Sequence, residues 1–216
     1  MGRGFGVAAA VDHDVVRAIA QAAEEQGYSS FWVNDTPGAD GLAALAAAAE
    51  TTRAIKLGVG VISVDRRSPA SIAADVERLG LPQDRLWLGI GSGVPKGALA
   101  RVRNSVGELQ GALSAQVIVA AFGPKMCDLA GTTADGVLFN WLLPDYAVHS
   151  CERVGDAARE AGRSRPLIMG YVRAGMLPGA RERIETEANR YSDNPNYARH
   201  FERQGVPAAE TVVARR

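Results

Sequence analysis

Unbroken apolar runs alternate along this chain with segments in which apolar positions recur every three to four residues. Ile55, Leu57, Val59, Val61 and Ile62 form one such run. It carries Gly58 and Gly60 inside it, as a strand buried on both faces would where another backbone or a flat ligand comes close. Ser68 can then cap a helix that Pro69 opens, because the missing N–H of proline costs nothing at that position. Ile72, Val76 and Leu79 recur at helical spacing, and Gly80 suits the left-handed end of that helix. Leu86 to Ile90 reads as the next strand. Gly89, Gly91 and Gly93 loosen its carboxyl end, the end at which parallel α/β folds bind ligands.

The same unit repeats. Strand-like runs fall at Phe5 to Val11, Ser30 to Asn34, Ile55 to Ile62, Leu86 to Ile90, Gln116 to Ala121, Gly136 to Trp141 and Leu167 to Val172. Helical stripes lie between them: Val15, Val16 and Ile19; Leu42 and Leu45 after Asp40; Leu99, Val102, Val106, Leu109 and Leu113; Val148, Cys151 and Val154. This alternation predicts a parallel α/β sheet with helices outside it. No composition shift marks a second domain, so residues 1–216 are expected to form one. Seven strand-helix units fall one short of a TIM-type (β/α)8 barrel. After the seventh strand the chain is predicted to run through a charged helix (Arg181 to Tyr191), to break at Asn194-Pro195 and to continue as a short helix to Gly205. Thr211 to Ala214 offers at most a stub of an eighth strand. The expectation is an incomplete or distorted barrel, with an open doubly wound sheet as the alternative.

Composition narrows the function. Lysine plus arginine equals aspartate plus glutamate at 24 each, so no global field draws the chain to nucleic acid or to an anionic membrane. No apolar stretch approaches the ~20 residues that a membrane helix needs. Asp12 and Asp14 stand where a signal peptide would be cleaved, which favours a first barrel strand and a cytoplasmic protein. Cys127 and Cys151 sit in predicted helices without metal-ligand spacing and read as structural thiols. His13, His149 and His200 fall on helices or their borders and read as surface or capping residues.

Several blocks together resemble the bacterial luciferase-like monooxygenase superfamily, in particular its branch that uses the deazaflavin coenzyme F420. The blocks are GYSSFWVNDTP, IKLGVGVISVDRRSPASIAADVERL, DRLWLGIGSG, AAFGPKMCDLAGTTADGVLFNWLLP and LIMGYVRAGM, in that order. The resemblance implies a TIM-type barrel, a shortened member of the group, that binds F420, the preferred cofactor, or FMN. It implies hydride transfer between that ring and a small organic substrate. It also implies a non-prolyl cis peptide at Gly60-Val61 supporting the ring, a ligand-facing Asp35, and a homodimer.

Residues at the predicted strand ends complete the candidate site. Ala121, Phe122, Gly123 and Pro124 begin the FGPKM turn, where a helix N-terminus and Lys125 favour a phosphate. Gly91 and Ser92 are a second set of contacts; they complete neither a GxGxxG fingerprint nor a P-loop. Asn140 ends the sixth strand beside Trp141. Asp35 has a plainer reading as a turn former before Pro37, and Gly58 and Gly60 have one as tight packing. No catalytic residue is assigned. Thr36 stands where many relatives carry histidine, and Val94-Pro95 where some deazaflavin dehydrogenases carry a carboxylate. A non-catalytic flavin- or F420-binding protein and a ligand-free degenerate paralogue are therefore the alternatives to an oxidoreductase.

Overall fold

The structure, a computed structural model, describes residues 2–175 and 177–214. Strands and helices alternate as β1 (Gly4–Val7), α1 (His13–Glu25), β2 (Ser30–Val33), α2 (Gly41–Thr51), β3 (Lys56–Ser63), α3 (Pro69–Arg78), β4 (Leu86–Gly91), α4 (Ala98–Ala112), β5 (Gln116–Ala120), α5 (Pro124–Thr133), β6 (Gly136–Asn140), α6 (Pro144–Glu160) and β7 (Leu167–Tyr171). Beyond β7 lie β8 (Ala174–Gly175), α7 (Ala180–Ser192), α8 (Pro195–Gln204) and β9 (Val213–Ala214). The sheet order is the chain order, β1 to β7. A doubly wound sheet reverses its order part-way, so the fold is α/β of the TIM-barrel type, with seven strand-helix units.

The chain forms two compact units, one running to Val119 and including Thr133–Asp135, the other made of Ala120–Thr132 and the residues from Gly136 onward. In the first unit β1 pairs with β2, β2 with β3, β3 with β4 and β4 with β5, all in parallel. Phe31, Leu57, Leu88 and Ile90 are buried in this wall, and each fully buried side chain of this kind contributes about 1.5–3 kcal/mol. Ser68 accepts from the Ser71 N–H and Asp40 from the Leu42 N–H, the two caps expected from sequence. At the amino ends of the strands the buried Arg85 guanidinium donates to Thr52 Oγ1 and to the carbonyls of Ala49, Thr52 and Ile55. The Glu24 carboxylate accepts from the N–H groups of Arg53, Ala54 and Ile55. These contacts stabilise the face opposite the one that carries sites in such barrels.

In the second unit β6 pairs with β7 in parallel. The helical stripes differ from expectation at three positions. Val15, Leu99 and Val148 are exposed, because the buried lines run through Val16, Ala20 and Ala23 in α1, through Val102, Val106 and Leu109 in α4, and through Val154, Ala157 and Ala158 in α6. The stub expected over Thr211 to Ala214 is also different. Ala208–Thr211 is a 3-10 turn, and only Val213–Ala214 is a strand, paired in parallel with β8 in a separate two-stranded sheet.

Candidate functional site

In the first unit the predicted residues lie where β2, β3 and β4 end. The Gly60-Val61 peptide is cis, as the resemblance implies, inside a register shift between Val59 and Ile62 against β4. Asp35 follows β2, but its side chain is only 1% exposed. It accepts from the Gly41 N–H at 3.0 Å, from Arg67 at 2.9 Å and from Arg66. Arg67 is itself shared with Asp40 and Asp75. Asp35 is thus the hub of a buried ion-pair network, and Arg66, 30% exposed, is the group it presents outward. Beyond β4, Gly91 accepts from the Val64 N–H, and the carbonyls of Ser92, Val94 and Lys96 converge on the Arg101 guanidinium. Gly93 has φ +69°, and a Cβ there would run into Asp65 Oδ1 and Ser63 Oγ, so this turn strongly favours glycine.

In the second unit the ends of β5 and β6 are covered by one helix. Ala121 is buried and donates to Leu138 O. The Phe122 ring lies 4.5 Å from Tyr197 and 4.9 Å from His200, between ring centres, and the Phe122 carbonyl accepts from Arg203 at 3.0 Å. The Gly123 carbonyl accepts from the Met126 and Cys127 N–H groups of α5, and Pro124 opens that helix. Asn140 Nδ2 donates to Tyr197 Oη at 3.4 Å, while Asn140 Oδ1 is buried with no partner. Trp141 follows with φ +54° and is 2% exposed; its Nε1 is also unpartnered.

The reading of His200 as a surface or capping residue is corrected here. Its ring is buried, with Nε2 at 3.0 Å from the carbonyls of both Asn140 and Trp141, because α8 turns its Tyr197, His200, Phe201 and Gln204 stripe toward the end of β6. Burial lowers the His200 pKa below its ordinary value, and raises Tyr197 to about 12. Among the described residues no cluster of histidine, cysteine and carboxylates fit to hold a metal is present. An open depression of about 880 Å3 runs along α7 and α8, with Glu182, Glu187, Arg190, Tyr191 and Tyr197 among its lining residues.

Parallel strands with their glycines and charged groups gathered at the carboxyl ends invite comparison with known proteins. Residues 3–108 match the luciferase-like monooxygenase family. The luciferase-like resemblance read from sequence is borne out there, over the first three of its five blocks. Over 180 residues, 67% of this chain, the sequence is 27% identical to the 5,10-methylenetetrahydromethanopterin reductase of Methanolobus tindarius. That match covers 55% of the relative, so the chain spans little more than half its length. Among solved structures the chain is similar to the coenzyme F420 dependent tetrahydromethanopterin reductase from Methanopyrus kandleri, with TM-score 0.76, 20% identity, and 95% of this chain and 76% of that one covered. It is similar as well to an F420-dependent secondary alcohol dehydrogenase in complex with an F420-acetone adduct, with TM-score 0.77, 16% identity, and 99% and 86% covered. At these identities the likeness to solved structures shows the barrel fold alone.

Sequence reasoning missed Arg66, Arg67 and Arg101 in the first unit and Tyr197, His200, Arg203 and Gln204 in the second. The three arginines left no pattern, since ion-pair partners distant in sequence have no periodicity. The α8 residues did leave one: positions 197, 200, 201 and 204 form an i, i+3, i+4, i+7 stripe, two of whose four members are polar.

Proposed function

We propose that this chain is an oxidoreductase that binds coenzyme F420, or FMN in its place, and transfers hydride between the ring and a small organic substrate. The observation that carries this reading is the 180-residue similarity to a methylenetetrahydromethanopterin reductase. The names of the two solved structures favour F420 over FMN.

The residues present fit such a group. Asn140 Oδ1 is a buried acceptor without a donor, which a ring N–H could satisfy. Gly123 leaves the first turn of α5 uncovered, with the Arg203 guanidinium beside it, a pairing of helix N-terminus and arginine suited to a phosphate. When bound, a deazaflavin or flavin ring supplies the hydride chemistry. The protein's part is to bind, orient and exclude water. In the first unit the proposed contacts are Gly60, Val61, Gly91 and Ser92, with Asp35 acting through Arg66 and Arg67 rather than by direct contact. In the second unit they are Ala121, Phe122, Gly123, Pro124 and Asn140. The small-molecule substrate would be handled by the chain as one domain, in a cytoplasmic homodimer. Among the described residues no helix is long and apolar enough to cross a membrane.

A second reading, binding without turnover, is favoured by one feature: Thr36 and Val94-Pro95 occupy the positions where relatives are expected to carry acid-base side chains. Gly123→Val tests the cofactor reading. A Cβ at position 123 has 3.7 Å to its nearest neighbour, a flexible arginine end, and the variant should weaken F420 or FMN binding about tenfold, or about 1.4 kcal/mol, with circular dichroism checking its fold. Unchanged affinity would remove the α5 turn from the site. Anaerobic ring oxidation or reduction with candidate alcohols, ketones and pterins separates turnover from binding alone.

A further inference from the structure

The helix α8 is anchored by an apolar and a polar set of contacts. Phe201 packs with Trp141, Ala188 and Ala208, and Tyr197 packs on Phe122 and Tyr191; the rest of its anchoring is polar. His200 Nε2 meets the carbonyls of Asn140 and Trp141; Gln204 Nε2 donates to Trp141 O at 2.8 Å, while Gln204 Oε1 accepts from the Leu143 N–H at 2.8 Å; Arg203 donates to Phe122 O. The ends of the helix are well defined. Asn194 caps its start ahead of Pro195, and Gly205, at φ +69°, closes it.

Two backbone carbonyls can only accept, so Nε2 of His200 carries the ring proton. Nδ1 is then a bare acceptor, buried and without a partner. The groups that meet the ring are the Asn140 and Trp141 carbonyls after β6, Phe122 after β5, Tyr146 on α6, and Phe201, Arg203 and Gln204 on α8 itself. Arg203 on α8 repels a cation here. A second ring proton would bury a positive charge beside that arginine, a cost that the carbonyls of Asn140, Trp141 and Phe122 offset only in part, since the balance lowers the pKa.

We propose that α8 is a displaceable cover over the ends of β5 and β6, latched by the neutral His200 ring and released when that ring takes up a proton. The functional consequence rests on the cofactor reading: docked α8 covers Phe122 and Asn140 and holds Arg203 beside Gly123, so its release uncovers the first two and withdraws the arginine. The latch itself does not depend on that reading.

The sign follows from burial, which lowers the His200 pKa in the docked state below its ordinary 6.5. Docking is therefore at full strength above about pH 6.5 and weakens as the pH falls below it, by up to about tenfold per pH unit, until the docked ring also protonates.

Hydrogen exchange of the full chain, followed by mass spectrometry at about pH 7.5 and about pH 5 and corrected for intrinsic rates, tests this without any ligand. Peptides covering residues 195–204 should lose protection at the lower pH, by at most about tenfold per pH unit below 6.5, while those of β6 and α7 keep theirs. In His200→Gln, whose amide can still donate to the same carbonyls, the pH dependence of α8 should vanish. Unchanged protection of wild-type α8, or an equal loss across α7, β6 and α8, overturns the latch, whether or not the variant folds. F420 and FMN titrations at both pH values are read separately. A released α8 with no binding of either leaves the latch standing and overturns the cofactor reading. Binding with α8 protected at both pH values does the reverse.

Discussion

Replacing Asp35 by alanine separates two roles for one carboxylate. If Asp35 faced a ligand, its loss would weaken binding and leave the fold unchanged. In the structure it is 1% exposed and accepts from Arg66, Arg67 and the Gly41 N–H. Removing one partner from a buried ion pair costs about 3–5 kcal/mol, because the other charge is left behind. Two features reduce that here. Arg67 keeps Asp75 at 2.7 Å and Asp40 at 3.2 Å, and Arg66, 30% exposed, can turn to water. The expected loss is therefore about 2–3 kcal/mol, which for a chain of this size lowers the melting temperature by about 4–12 °C. Asp35→Asn keeps an acceptor for Gly41 and should lose about half as much. Urea unfolding followed by circular dichroism measures both variants. An Asp35→Ala protein with wild-type stability would refute the ion-pair hub and return Asp35 to direct ligand contact.

Two further predictions concern the rest of the molecule. Gly58→Ala drives a Cβ into the Trp32 ring, which is buried and held by its Nε1–Ser30 Oγ bond at 2.9 Å; the urea midpoint should fall by the equivalent of about 1–3 kcal/mol, and an unchanged midpoint would show that the ring can retreat. Burial raises the Cys127 thiol to about 11, so at about pH 8 a thiol reagent should modify the half-buried Cys151 first and reach Cys127 only at the rate of unfolding; two thiols reacting equally fast in the native protein would contradict that packing.

Much of the barrel was legible because its signals are local. An apolar run of strand length, a serine before proline and an aspartate before an alanine-rich helix each specify their own element, and β2 to β7, α2 and α3 begin within a residue or two of the positions read from sequence. The stripes were read less well where the apolar line was ambiguous. Val15 and Val16 are adjacent and both hydrophobic, yet only one can face the sheet. At the strand ends the residue types were legible and their partners were not. Asp35 was singled out for its position, but no sequence pattern shows that Arg66 and Arg67, across a strand and a helix, would neutralise it. His200 was set aside because helix-borne histidines are usually exposed; its burial depends on the end of β6, 60 residues away, presenting two carbonyls to it.

The central claim is that this chain binds a deazaflavin or flavin ring, and equilibrium titration of the folded protein tests it most directly. Quenching of F420 fluorescence, with FMN titrated in parallel, should show one saturable site per chain with a Kd of about 1 μM or tighter, or about −8 kcal/mol, and with F420 held more tightly than FMN. A correctly folded protein that quenches neither ligand, at about pH 7.5 and again at about pH 5, would contradict the account.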